Sequence, residues 1–150
     1  MINLIDDKVL TPDNRFDPMI TDADGRVYFR RHELACKGSG LIVLAPGFAQ
    51  HLFAFRVELG EPVIPTSVCR SLEHNRNVRG HPRSLHVYDR PHWPTEGTCA
   101  LDFKVLGAGY RARSVECLLD LGWSVGVHGA FTHADRRTDY TDLERSMFLY

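Results

Sequence analysis

The chain reads as a small α+β protein, because helical apolar spacing dominates its first half and short strand-like runs its second. Phe48, Leu52, Phe55 and Leu59 recur at the spacing of one helix face, whereas Trp123–Val127 and Phe131–Asp135 read as short strands separated by His128-Gly-Ala. Helices first and strands afterwards predict N-terminal helices packed on an antiparallel sheet.

Taken in order, residues 1–27 are turn-rich, punctuated by Pro12-Asp-Asn and Asp22-Ala-Asp-Gly25, and are expected to form an arm or lead-in to a domain over 28–150. Tyr28 to Cys36 predicts a short helix ended by Lys37-Gly-Ser-Gly40. Pro46 is suited to open a second helix that runs through about Leu59. Val63 to Val68 predicts a strand with Arg70 just past its end, and Glu73 to Val78 a helical turn. Strands are expected at Leu85 to Tyr88 and at Cys99 to Val105. Arg111 to Leu121 is an amphipathic helix with Val115, Leu118 and Leu119 apolar, stopped by Gly122. The strands Trp123–Val127 and Phe131–Asp135 follow. The tail from Glu144 to Tyr150 ends on apolar residues, expected to dock back onto the body or to pair with a neighbour.

Composition narrows the function classes. At 150 residues the chain can bury a sizeable core, and 43% hydrophobic with 25% charged residues places it among ordinary globular domains. A net charge of -1 supplies no general field for nucleic acid or an anionic membrane. The arginines between Arg70 and Arg83 read as a solvated loop. No run approaches the roughly eighteen apolar residues that cross a bilayer, and the first residues lack the basic-then-apolar order of an export signal, so the chain is expected to be made in a cytoplasm. Cys36, Cys69, Cys99 and Cys117 include no C-x-x-C pair and read as reduced, partly buried thiols.

Three residues carry the chemistry. His86 lies in Ser84-Leu-His86, Asp102 in Gly97-Thr-Cys-Ala-Leu-Asp102, and His133 in Phe131-Thr-His133-Ala-Asp135. Two imidazoles and one carboxylate match the preferences of zinc and leave a fourth position open for hydrolytic work, although other divalent ions accept the same donors. The long intervals between the three fix no geometry alone, so context has to carry the reading. His32, His51, His81 and His92 read as surface or structural residues, His74 as a hydrogen-bonding residue of its turn, and His128 as open.

That context is a run S-x-x-R-S (Ser67, Arg70, Ser71), then His74-Asn75, a glycine turn at Gly80, Ser84-x-His86, and a closing His133-x-Asp135 strand. The combination resembles the zinc D-alanyl-D-alanine carboxypeptidase-like family, which includes vancomycin-resistance dipeptidases, phage endolysins that cut L-alanyl-D-glutamate bonds, and the hedgehog signalling domain. The resemblance spans roughly residues 28 to 137. It implies that His86, Asp102 and His133 bind Zn2+ and that Arg70 holds a substrate carboxylate or the oxyanion. It also implies a peptidoglycan peptide as substrate, cut by a carboxypeptidase or an endopeptidase.

Two departures shape the expectations. Relatives place the aspartate about seven residues after the first histidine, but here a Pro-rich insert from Asp89 to Gly97 intervenes, and its Trp93 is expected to wall the cleft. Many active relatives also carry an acid three residues before the last histidine, where this chain has Ala130. The proton acceptor is then sought among Asp135, Glu96, Asp89 and His128, with Asp135 equally suited to orient an imidazole. Without an export signal, a wall-cutting enzyme of this kind fits phage or prophage origin and acts at the cell wall or as part of a virion. The runner-up is a tail-associated virion component that keeps the fold and has virion proteins or its own copies as partners. A third reading is a binding domain in which zinc chiefly holds the fold.

Overall fold

The computed structural model of the chain describes residues 11–91 and 95–150 in full, and residues 2–4 as backbone. The chain opens with β1 (Ile2–Leu4), β2 (Pro18–Asp22) and β3 (Val27–Arg30), an antiparallel three-stranded sheet in that order. Part of the stretch read as a loose lead-in is therefore strand, and Met19 and Ile20 on β2 are fully buried. The helix expected from Tyr28 is correspondingly shorter: α1 spans Arg31–Leu34. Val27-Tyr-Phe is a β-branched and aromatic run, and pairing with β2 claims it before a helix can.

After α1 come α2 (Phe48–Leu59), β4 (Pro65–Ser67) and α3 (Leu72–Asn77). The helix expected from Pro46 begins two residues later, because Gly47 sits at φ 81, outside helical space. Ser71 caps α3 by accepting from the His74 N–H at 3.0 Å. The strand expected at Leu85–Tyr88 is absent. Those residues form turns with one isolated bridge, Arg70 to Val87, because the Ser84 hydroxyl and carbonyl take the His86 and Val87 N–H groups and bend the chain.

The rest follows the expected order: β5 (Ala100–Lys104), α4 (Ala108–Asp120), β6 (Ser124–Val127), β7 (Phe131–Asp135), a short α5 (Arg137–Tyr140) and β8 (Met147–Leu149). The second sheet runs β4-β5-β7-β6-β8, antiparallel except that β8 lies parallel to β6. The apolar tail thus docks back as an edge strand. With five helices and two sheets among the described residues, the class is α+β, as expected.

Strand alternation separates core from site. Leu101, Phe103, Val125 and Ala134 are fully buried on one face of the five-stranded sheet. There Phe55 meets both Phe103 (ring centroids 5.5 Å) and Trp123 (6.1 Å), so α2 seals that face. Each such fully buried aromatic contributes roughly 1.5–3 kcal/mol of transfer free energy. Residues at the alternate positions, Asp102, His133 and Asp135, face the other way.

Candidate functional site: a His-Asp-His cluster

The register brings two of the three expected ligands together. Asp102 pairs directly with His133 across β5 and β7, so both side chains leave the same face side by side. His86 arrives from the turn after Ser84, tied by its backbone to Arg70 on one side and by the Thr98 hydroxyl, which donates to the His86 carbonyl at 2.7 Å, on the other. All three are buried, and one donor atom of each lies within 4.8 Å of the others.

The hydrogen bonds set the state of each group. His86 Nδ1 lies 2.8 Å from the Val68 carbonyl, which can only accept. Nδ1 therefore carries the proton, and Nε2 turns a lone pair toward Asp102 Oδ1 at 3.1 Å. Nε2 is buried and has no hydrogen-bond partner among the described residues. Burial lowers the His86 pKa, so the ring stays neutral although Asp102 pulls the other way. A lone pair and a carboxylate oxygen facing each other at this distance call for a positive charge between them, a proton or a metal ion.

His133 is bracketed by carboxylates, with Nδ1 2.8 Å from Asp102 Oδ1 and Nε2 2.8 Å from Asp135 Oδ2. Burial opposes charge on this imidazole, but the bonds to Asp102 and Asp135 outweigh it and push the pKa up to about 9. Burial likewise opposes the charge on Asp102, and positive charge shared with the imidazoles of His86 and His133 overcomes it, holding the carboxyl well below the usual range; a proton or a metal ion on His86 Nε2 supplies that charge on its side. Asp135, wholly buried, is held at about 2 against burial by Arg137 and His133. A group of this kind is suited to a cation: His86 Nε2, His133 Nδ1 and an Asp102 oxygen would hold a divalent ion, with His133 Nε2 still free to donate to Asp135. The donors present fit zinc.

The cluster lies at the wall of a cleft of about 1460 Å³. Arg70 lines it, held by Ser67 Oγ (2.9 Å), Asn75 Oδ1 (3.3 Å) and Asp102 Oδ2 (3.2 Å). Gly80 is needed here, since a Cβ at that position would collide with the Asn75 side chain that steadies Arg70. Arg79, His81 and Arg83 continue the basic side; the Arg70–Arg83 stretch read as solvated loop thus borders the cleft, and His81 stands on its rim.

Of the other candidate proton acceptors, Asp89, Glu96 and His128 are not among the residues lining the cleft. Asp89 instead accepts from the Leu72 N–H at 2.7 Å at the start of α3, and His128 stacks on Phe131 with centroids 4.4 Å apart. Asp135 has both oxygens occupied, by the Arg137 backbone and guanidinium and by His133. Trp93 and His92 lie outside the described residues. His74, His32 and His51 do not line the cleft: the His32 ring meets the Arg15 carbonyl and the Phe16 ring, His51 meets Asp139 and the Trp123 ring, and His74 lies in α3 with its N–H capped by Ser71.

Four contributors are invisible in the motif. Arg137 clamps Asp135; the i, i+2 spacing on a strand end was its available signal. Arg90 is buried and donates to the carbonyls of Val87 (2.9 Å), Gly97 (2.6 Å) and Thr95 (3.1 Å), closing the insert that separates His86 from Asp102. Phe148 on β8 and Tyr150 just after it line the cleft, which nothing in the local sequence announces. All four cysteines are thiols, as expected.

Among the described residues no helix is long and apolar enough to cross a membrane. Neither the curated proteins nor the solved structures include a match to this chain. The family model described as Peptidase M15 matches residues 27–135, a span that carries all three cluster residues together with Arg70 and Asp135, and the chain belongs to the peptidase M15 family.

Proposed function

We propose that the chain is a zinc metallopeptidase that cleaves stem peptides or cross-links of bacterial peptidoglycan, in the setting of a phage or prophage. The observation that carries this reading is the convergence of His86, Asp102 and His133 in one buried cluster beside a cleft lined by Arg70. Bound there, the ion would supply Lewis-acid polarisation of a carbonyl and a lowered pKa for a water molecule. The protein's own residues do the rest. Asp135 fixes the His133 ring through Nε2, and Arg137 fixes Asp135, so the imidazole presents Nδ1 to the site. Arg70, braced by Ser67 and Asn75, offers planar donors to a substrate carboxylate or a developing oxyanion. Orientation, rather than proton transfer, is the role that suits Asp135, because its oxygens are already engaged. The domain over 28–150 is proposed as the peptidase unit, with β2 of the preceding segment packed into the same core.

The test pairs metal analysis of the purified protein with release of amino groups from purified peptidoglycan, using His133→Ala as control. About one zinc per chain, as one catalytic site requires, with cleavage lost in the variant, supports the reading; zinc without cleavage removes the enzymatic part. One observation favours the second reading, a virion component: β8 is an edge strand with Met147 and Leu149 exposed. A discrete large oligomer in gel filtration, without cleavage, would select it.

A further inference from the structure

A single row of residues crosses the five-stranded sheet on the site face. Ser67 pairs with Asp102, Asp102 with His133, His133 with Gly126, and Gly126 with Phe148. Phe148 and His133 are thus separated by a whole strand, about 10 Å at ordinary strand spacing. Their rings nevertheless approach to 5.9 Å between centroids. The position between them is Gly126, and the Phe148 ring lies across it: a Cβ there would stand 2.5 Å from Phe148 Cε2. Gly126 is not in the left-handed region, so no backbone demand accounts for the glycine. Its missing side chain is the space the ring occupies.

Phe148 reaches two members of the ligand-orienting chain at once. The Arg137 guanidinium sits over its ring at 5.4 Å, and Arg137 in turn bonds Asp135, which accepts from His133 Nε2. Tyr150, two residues on, packs 5.6 Å from Phe148 and continues the aromatic wall along the cleft. The strand that carries Phe148, and Tyr150 just past its end, lie outside residues 27–135, the part of the chain that the family model matches.

We propose that Phe148, lodged over Gly126, is a positioning residue for the metal ligand His133, and that β8 thereby completes the site from outside the family's common core. The proposal rests on the metal site put forward above. Covering Arg137 with an aromatic face excludes water from the Arg137–Asp135–His133 chain and holds the imidazole in the one orientation that aims Nδ1 at Asp102. The effect is on metal affinity and coordination geometry, not on contact with substrate.

The experiment measures zinc affinity by competition with a chromophoric chelator, and the visible spectrum of the cobalt-loaded protein, for the full chain and for Phe148→Ala, Gly126→Ala and Phe148→Tyr. The full chain is measured first. The expected result is that Phe148→Ala and Gly126→Ala each weaken zinc binding by roughly ten- to hundredfold, the range for loss of an outer partner of a ligand, and alter the cobalt spectrum, while Phe148→Tyr retains both. A purely structural role would lower the melting temperature and leave the cobalt spectrum of the folded protein unchanged. If Phe148→Ala does not fold, Gly126→Ala, which displaces the ring without removing it, carries the test. Unchanged affinity in a folded variant overturns the positioning role alone, whereas a full chain that binds neither metal overturns the site itself along with it.

Discussion

The two halves of the site are held in place by different physics. Asp102 and His133 stand on adjacent strands, and the same alternation that sends Leu101, Phe103 and Ala134 into the core sends them to the cleft. A one-residue slip would put the carboxylate in the core and leucine at the site, so hydrophobic burial itself enforces the register. His86 and Arg70 come instead from the irregular stretch between β4 and β5. There the positions are fixed by saturating polar groups: the Arg70 N–H donates to the His86 carbonyl and the Tyr88 N–H to the Arg70 carbonyl, both at 3.0 Å, while Arg90 gathers the Val87 carbonyl and two carbonyls of the insert. The sheet half is robust because many apolar contacts share the load. The loop half depends on a few bonds whose loss leaves buried groups unpaired.

That contrast can be broken or sharpened in order of expected effect. His133→Ala should weaken zinc binding by more than the roughly hundredfold cost of an outer partner and abolish cleavage while the protein still folds, because the core face of β7 is untouched; chelator competition and circular dichroism check both halves of the statement. Arg70→Ala should lower turnover on peptidoglycan by about 10²–10³, the cost of losing one oxyanion donor, with zinc content unchanged. Equal loss of zinc in that variant would show that the loop half cannot be altered piecemeal.

Arg90→Ala tests the polar scaffold directly. Three carbonyls lose their donor, at roughly 1 kcal/mol each, so thermal unfolding should shift down by about 6–12 °C. A conservative change on the sheet's core face, Val125→Ala, should leave zinc affinity closer to that of the parent than Arg90→Ala does. The smallest effect concerns thiol labelling. Cys69 lies in the loop half, and Cys99 precedes β5 with its thiol pushed up by burial to about 12. Chelation should speed labelling of Cys69 more than of Cys99, as followed by mass spectrometry; equal acceleration would mean that the two halves loosen together.

Legibility followed the same division. The strand bearing His133 was readable to the residue, and β5 and α4 were readable to within a few residues. The ligand trio itself was suggested by residue type and made specific by the family resemblance. Leu85–Tyr88 looked like a strand by composition, because nothing local reveals that Ser84 takes its N–H groups. Tyr28–Cys36 looked helical because the competing partner, β2, lies earlier in the chain and pairing is not a local property.

By itself, the sequence determined the class, the order of elements from β5 to β7, the strand positions of Asp102 and His133, and the family, because burial periodicity and residue chemistry are encoded position by position. Only the tertiary structure decided what surrounds the ligands: that Arg137 secures Asp135, that Arg90 closes the insert, and that Phe148 crosses Gly126 to reach His133. The Phe148 contact joins groups through packing between strands far apart in the chain, and its free energy exists only once those strands have come together; the Arg137 and Arg90 bonds are short in sequence but depend on backbone turns that residue type alone does not reveal.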